Sequence, residues 1–469
     1  TPSAADRESG TVARVVLPAA GRVAFRPLPA ALAAQAAADP WFAAVAEDTL
    51  TYVRRDLSHV DGGFLSAEDA DSVCPEQARQ PGAVKTEGAF YTWSQSEIDQ
   101  LFGADADVIC FRYGIEPDGN APEDPHNDFA DKNLLYVARG VDDVARLSGR
   151  SVDAADEVLG DARSRLFQAR SKRPRPHLDD KVLAGWNGLM IAAFARAARV
   201  APLDDASGEM SLEAAHRAAG FLYERLWDAK RHLLLRRFRD GRSDIEAYSE
   251  DYAFVVFGLL ELFQAGGDPR WLDWARELQA IQNRLFVDEE DGGWFSTTGE
   301  DPTVLLRLKE DYDGAEPSAG SVTVGNLLTL AHLCEAEEAV DGGDRIERAL
   351  RRLGSSPREA RVMPMMMAAA STYLAGVPQV IIVGARNAAG TIALHREFIR
   401  CFLPGAVSLV AEPGGHHAAL VERLPWLGTM VATNGKPTAY LCRGFTCQEP
   451  TSDPEAFRDQ LVGLAEVAD

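Results

Sequence analysis

The stretch ADPWFAAVAEDTLTYVRRDLSHVDGGFLS, residues 38–66, returns as GDPRWLDWARELQAIQNRLFVDEEDGGWFS at residues 267–296. Both copies open on Asp-Pro and close on Asp-Gly-Gly followed by an aromatic residue. A proline is tolerated in the first helical turn because its missing N–H has no partner there in any case. Apolar residues then recur at three and four, and the Gly-Gly pair ends the helix, since glycine enters the left-handed conformation without a Cβ clash. Each copy reads as a helix closed by a tight turn, and the recurrence marks a helix-pair architecture.

Working outward from these copies, residues 178–200 (LDDKVLAGWNGLMIAAFARAARV) are apolar nearly all round, whereas residues 211–228 (SLEAAHRAAGFLYERLWD) carry one apolar stripe. A helix apolar on every face needs neighbours on both sides, so the first is an inner helix and the second an outer one. The alternation continues with inner 250–267, outer 269–286, inner 317–335, an outer segment near 345–353 and inner 361–376. Short hairpins are expected after outer helices at 62–66, 232–238 and 293–296. This order resembles the (α/α)6 toroid of six-hairpin glycosidases and N-acylglucosamine 2-epimerases; an open helical solenoid is the alternative. The expected fold class is mainly α, an (α/α)6 toroid of the six-hairpin glycosidase type, incomplete at its N-terminus, with a small C-terminal α/β appendage.

From Pro378 the pattern changes. PQVIIVG, PGAVSLVAE and PTAYLCR are short β-branched runs separated by helical stretches near 391–402 and 417–430, and DPEAFRDQLVGLAEVA forms a last helix. That reads as a βαβαβα region with a small parallel sheet. The expected division is an atypical segment at 1–34, rich in Ala, Arg and Pro, a toroid at 35–376 and an α/β region at 377–469.

Hydrophobic residues make up 46% and charged residues 25%, a balance that supports a large core. With 48 Lys and Arg against 71 Asp and Glu, the formal charge of −23 repels nucleic acid phosphates and anionic lipid head groups, is indifferent to a neutral sugar and attracts a cation. No apolar run approaches the roughly 18 to 20 residues that span a bilayer, and the opening TPSAADRESG is no leader, so a cytoplasmic protein is expected. Cys74, Cys110, Cys334, Cys401, Cys442 and Cys447 read as free thiols; for Cys442 and Cys447, in CRGFTC, a redox pair or a soft-metal pair is the lesser alternative. No metal-ligand spacing occurs, and no metal or cofactor is expected.

Four polar clusters fall at loop-to-inner-helix junctions, which a toroid gathers on one rim: residues 66–72 (SAEDADS), 177–188 (HLDDKVLAGWNG), 248–254 (YSEDYAF) and 308–321 (LKEDYDGAEPSAGS). For any single carboxylate there, capping a helix is the simpler role. Capping leaves the company of aromatic and amide groups unexplained. A pyranose ring stacks its C–H face on an aromatic side chain and pairs its hydroxyls with carboxylates and amides. Asp251, Asp180, Asp311 and Asp313 are the proton-transfer candidates, since glycoside cleavage needs a protonated acid and a second carboxylate. Glu68, Asp69, Asp71, Glu87, Trp93, His177, Trp186, Asn187, Glu250, Tyr252, Lys309 and Glu316 are the candidate sugar contacts.

GGFLSAEDADS, EGAFYTW, RPRPHLDDKVLAGWNGLMIAAFA, EDYAFVVFGLLELF, DGAEPSAGSV, CRGFTC and TSDPEAF, collinear from about Asp39 onward, resemble the YyaL and spermatogenesis-associated protein family. The resemblance implies a thioredoxin-like domain ahead of an (α/α)6 toroid, and an early inner helix carrying His-Phe-Glu-Lys-Met-Leu-Tyr-Asp. Neither has a match here, which leads to the expectation of a truncated or frame-shifted product. The expected function is a carbohydrate-active or carbohydrate-binding protein, a glycoside hydrolase or sugar epimerase using rim carboxylates, with a small sugar-like ligand and room for a protein partner. The alternative is a non-catalytic binding or redox-partner module whose chemistry belongs to the thioredoxin domain.

Overall fold

The computed structural model describes residues 40–121, 129–300, 302, 304–334, 336–353 and 361–466. The segment expected at 1–34 lies outside the described residues. The chain divides into two compact units, whose described parts are residues 67–179 in one and residues 40–66 with 180–466 in the other. The sequence reading drew no boundary around 67–179.

In the larger unit the first repeat copy forms α1 (Pro40–Asp56). The smaller unit follows with strands β1 (Ala67–Glu68), β2 (Asp71–Val73) and β3 (Lys85–Glu87), then α2 (Gln95–Phe102), α3 (Ala106–Tyr113), α4 (Val141–Ser148), α5 (Val152–Arg170) and β4 (Leu178–Asp179). Its ends are closed by β1 pairing antiparallel with β4. Trp93, Ile98, Phe102, Ile109 and Leu166 pack as its core, and Ser94 caps α2 in a reciprocal pair with Glu97.

Back in the larger unit come β5 (Val182–Leu183), α6 (Ala184–Val200), α7 (Ala206–Arg225), β6 (Trp227–Asp228), β7 (Leu233–Leu234), β8 (Arg237–Phe238), α8 (Ser249–Gly266), α9 (Pro269–Phe286), α10 (Ala319–Leu333), α11 (Ala336–Leu353) and α12 (Pro364–Ala375). Helix α6 packs on α7 and α8, α8 on α9 and α10, and α10 on α11 and α12. The inner row is thus α6, α8, α10 and α12, and α7, α9 and α11 cover it, the α/α-hairpin order expected of this fold class. Helices α6 and α8 are buried on nearly every face because they meet helices on both sides, as α8 does from Ser249 to Ala265, whereas α12 buries Met366 and Ala369 and leaves Met367, Tyr373 and Leu374 exposed.

Both repeat copies turn alike. Ser58 bridges Phe64, and Val287 bridges Trp294, across turns whose Gly62, Gly292 and Gly293 have positive φ. Each turn presses on the next outer helix: a Cβ at Gly62 would lie 2.7 Å from the Arg217 carbonyl in α7, and one at Gly292 3.1 Å from Arg348 Cβ in α11. Pro269 opens α9 with Asp268 accepting from Arg270 N at 3.1 Å. Gln282 of α9 ties the inner row together, donating to Ser249 O at 3.0 Å and Thr323 Oγ1 at 2.9 Å.

The C-terminal region holds β9 (Pro378–Val383), α13 (Ala389–Ile399), β10 (Val407–Ala411), α14 (Gly415–Val421), β11 (Thr438–Arg443), β12 (Thr446–Cys447) and α15 (Pro454–Glu466). The α/β character is as expected, but the sheet is mixed: β10 is parallel to β9, whereas β11 runs antiparallel to β9 and β12 antiparallel to β11. The reason lies before β11, where Asn434 and Gly435, both at positive φ, form a tight reversal bridged by Thr433 and Lys436. That turn sends the chain back along β9, which a crossover helix would not do. The second correction is Cys442–Cys447, which is a disulfide. The two positions face each other across β11 and β12, so hairpin register brings together what spacing alone left open. Among the described residues no helix is long and apolar enough to cross a membrane.

Helix α6 crosses α8 in close backbone contact. A Cβ on Gly188 would sit 2.4 Å from the Phe254 carbonyl, and one on Gly258 2.4 Å from Gly188 O. Gly188→Ala therefore forces backbone apart and is expected to cost about 1–3 kcal/mol, whereas Gly220→Ala, mid-helix with nothing within 4 Å, is expected to add up to about 1 kcal/mol. Urea unfolding of both variants checks this; equal effects would contradict the crossing as drawn.

Candidate functional site

In the smaller unit Glu68 is buried, accepting from Arg175 Nη2 at 2.5 Å and from the Tyr91 hydroxyl at 3.3 Å. Burial, then the Glu68 charge, pushes the Tyr91 hydroxyl up to about 12. Asp69 N donates to His177 O at 2.7 Å, the His177 ring is exposed, and Asp71 faces Glu87 across β2 and β3. Trp93 goes elsewhere: it is buried in the unit's core with the Arg173 guanidinium 4.0 Å over its ring. Its face is therefore occupied by protein.

In the larger unit the N-terminal ends of α6 and α8 meet. Asp251, 2% exposed, accepts from Gly185 N at 3.1 Å, Tyr248 N at 2.9 Å and Arg236 Nη1 at 2.8 Å. The same Arg236 nitrogen reaches Glu250 Oε1 at 2.8 Å, and the guanidinium lies 4.7 Å over the Tyr248 ring. Trp186, on the exposed side of α6's first turn, donates its indole N–H to Glu316 Oε1 at 2.9 Å. Glu250, Asp251, Trp186 and Glu316 are thus brought together around Arg236.

The electrostatics separate these carboxylates. Burial raises Glu316, the Trp186 hydrogen bond pulls it back, and the Glu250 charge raises it again against Arg236. Glu310 is raised by burial and then by the charges of Glu250, Glu316 and Asp313. Half-buried Glu316 and exposed Glu310, both held toward the protonated form, stand beside Glu250 with its arginine partner, which puts a proton donor and an acceptor carboxylate within one site. Tyr248 and Tyr312 are 42% and 59% exposed, offering aromatic surface.

Other candidates in this unit have protein partners. Asn187, 1% exposed, clamps the first repeat turn, accepting from Phe64 N at 2.7 Å and donating to Phe64 O at 2.9 Å. Tyr252 is fully buried, its hydroxyl accepting from Leu234 N at 2.9 Å. Lys309 contacts Asp288 at 2.6 Å and Gly292 O at 2.8 Å, and that hydrogen bond holds Asp288 down at about 2. Asp311 pairs with Arg352. Asp313 accepts from Ser318 N and Met365 N, each at 2.8 Å, stitching the starts of α10 and α12. Asp180, half-exposed, pairs with Arg239 at 2.9 Å. Among the described residues no three His, Cys, Asp or Glu side chains gather as a metal set.

Sequence reasoning missed Arg236, Glu310 and Tyr248 as site residues. Glu310 and Tyr248 stood inside the quoted clusters; Arg236 lies in the LLLRRF hairpin, where nothing local distinguishes it from Arg237.

Paired α helices with a carboxylate rim define a broad class that hosts many functions. Within it the chain's homologues are spermatogenesis-associated proteins: it is 36% identical over 451 residues to spermatogenesis-associated protein 20 of Homo sapiens and of Rattus norvegicus. These alignments cover 91% of the chain and 55% of each relative, so the chain spans about half their length. An uncharacterized protein of Caenorhabditis elegans is 31% identical over 430 residues, again covering 55% of the relative. No family model matches. Similar solved structures include a glycoside hydrolase from family 105 of C. acetobutylicum ATCC 824, with TM-score 0.33 and 10% identity over 74% of this chain and 81% of that one. A family 76 glycoside hydrolase (mannosidase) of Bacteroides thetaiotaomicron VPI-5482 has TM-score 0.30 and 11% identity over 54% and 71%. Scores of that size carry no argument about activity.

Burial pushes Asp251 from its usual 3.8 up to about 6, the Arg236 charge offsetting part of it. The folded chain therefore holds this proton more tightly than the unfolded one, and the group weighs increasingly against folding as pH rises from about 4 to about 6. Unfolding free energies across this range should lose that component in Asp251→Asn, so the difference between variant and wild type shifts toward the variant with rising pH. A difference independent of pH would contradict the burial of an ionisable group here.

Proposed function

We propose that the chain is a carbohydrate-active protein whose proton chemistry runs at the Glu316, Glu310 and Glu250 rim, as a glycoside hydrolase or a sugar epimerase-like enzyme. Glu316, raised by burial and held by the Trp186 indole, is the group that donates a proton. Glu250, paired with Arg236, is the partner carboxylate. The observation that carries this reading is the Trp186–Glu316 hydrogen bond at 2.9 Å beside the shared Arg236 contact of Glu250 and Asp251. On this reading Asp251, Asp311 and Asp313 hold the rim loops in position, Asp180 remains a contact at its edge, and Tyr248 and Tyr312 supply aromatic faces for a sugar ring.

The ligand class is a small neutral or cationic sugar, which a chain of charge −23 does not repel. Nucleic acid and anionic membrane are disfavoured on the same ground, a cytoplasmic setting fits, and the reaction as read uses no cofactor. The toroid and α/β region divide near residue 376, and a protein partner adds to the larger family architecture. Binding without chemistry is the second reading, favoured by the depth at which Asp251 is sealed.

A glycoside and sugar panel with product analysis tests the proposal. Glu316→Gln is expected to lower turnover by about 100-fold or more with unchanged melting temperature. Turnover unaffected by Glu316→Gln removes that residue from the mechanism, and saturable sugar binding with no product in the wild-type chain favours the second reading.

A further inference from the structure

We infer that Cys442–Cys447 is a thiol–disulfide exchange site, opened by a dithiol at Cys447, the exposed residue of the pair. The bridge lies at the tip of the C-terminal sheet, away from any role in the rim chemistry. Gly444 and Phe445, both in the left-handed region at φ 54° and 62°, make the two-residue turn between β11 and β12. Arg443 faces Thr446, Cys442 faces Cys447, and Gln448 N donates to Leu441 O at 2.9 Å.

Two observations distinguish this bridge from a structural staple. It closes a sequence separation of 5, and a bridge over so short a loop restricts the unfolded chain least. The hairpin is held independently as well: β11 pairs with β9 along six residues, Ala439 and Thr451 exchange backbone hydrogen bonds, and the Phe445 ring stacks on His332 with centroids 4.9 Å apart and planes 4° from parallel. Opening the bridge therefore leaves the strand and the turn in place.

The two cysteines are also unequal. Cys442 is 2% exposed, whereas both residues of β12 are exposed. An incoming thiolate reaches Cys447 Sγ; the new S–S bond forms as the Cys442–Cys447 bond breaks, and Cys442 departs with the electron pair and takes up a proton. The donor's second thiol then attacks the mixed disulfide, releasing Cys447 as a thiol. The donor leaves as a disulfide, two electrons and two protons having passed to the cysteine pair.

The test uses the folded chain with dithiothreitol as probe, alkylation mass as readout and a thermal melt alongside. The expected result is reduction of the pair without unfolding and within about tenfold of its rate in the denatured chain. With oxidised glutathione, Cys442→Ser, which keeps the exposed Cys447, is expected to form a mixed disulfide about 100-fold faster than Cys447→Ser, which keeps the buried sulfur. Reduction only on unfolding, equal rates for the two variants, or two free thiols in the air-oxidised wild-type chain would each overturn the assignment.

Discussion

Backbone contact between α6 and α8 at Gly188 and Gly258 sets the geometry of everything at their N-terminal ends. With no Cβ on either side the helices approach until carbonyl and amide atoms touch, a separation any larger residue would widen. One turn back along α6, Gly185 N lies within hydrogen-bond reach of Asp251 on α8. Asp251 then fixes Arg236, and Arg236 fixes Glu250. Trp186 leaves the same turn of α6 toward Glu316. A spread crossing would loosen each of these links in order.

The opposite ends of the same two helices carry a second polar junction. Arg196 and Arg199 of α6 both meet Glu261 of α8, and all three are buried. Burial alone would raise the Glu261 carboxyl, but Arg196 and Arg199 outweigh it and keep it below the usual range. Beside them Arg199 donates to Gln264 Oε1 at 2.7 Å, the same oxygen that accepts from Ser408 N of β10 at 3.0 Å, and Arg196 reaches Pro404 O at 3.2 Å. The C-terminal sheet is thus docked through hydrogen bonds that also satisfy buried charges, an arrangement whose cost would appear if one partner were removed.

The helices were legible because their signals are local and repeated. The Asp-Pro starts, the Asp-Gly-Gly stops and the all-round apolar runs of α8 and α10 come from capping, glycine conformation and burial, which act within a turn or two of chain. Sheet direction in the C-terminal region was not legible from strand runs, because it depends on the Asn434–Gly435 reversal, a two-residue event. The disulfide was similarly hidden, since CRGFTC pairs only once Gly444 and Phe445 make a hairpin. In the candidate site, spacing marked carboxylates but not their burial. Asp251 and Glu316 look alike in sequence, yet one is sealed under hydrogen bonds from Gly185, Tyr248 and Arg236 and the other stays half-open under an indole.

The most direct test of the chain of contacts from crossing to rim is a double-mutant cycle between Gly188→Ala and Asp251→Asn, read by denaturant unfolding at neutral pH. If the close approach is what seats Asp251 against Gly185, the two substitutions damage the same arrangement and their coupling is expected to reach about 1 kcal/mol. Additive effects would contradict the account, because they would mean that Asp251 keeps its partners whether or not the helices meet at Gly188.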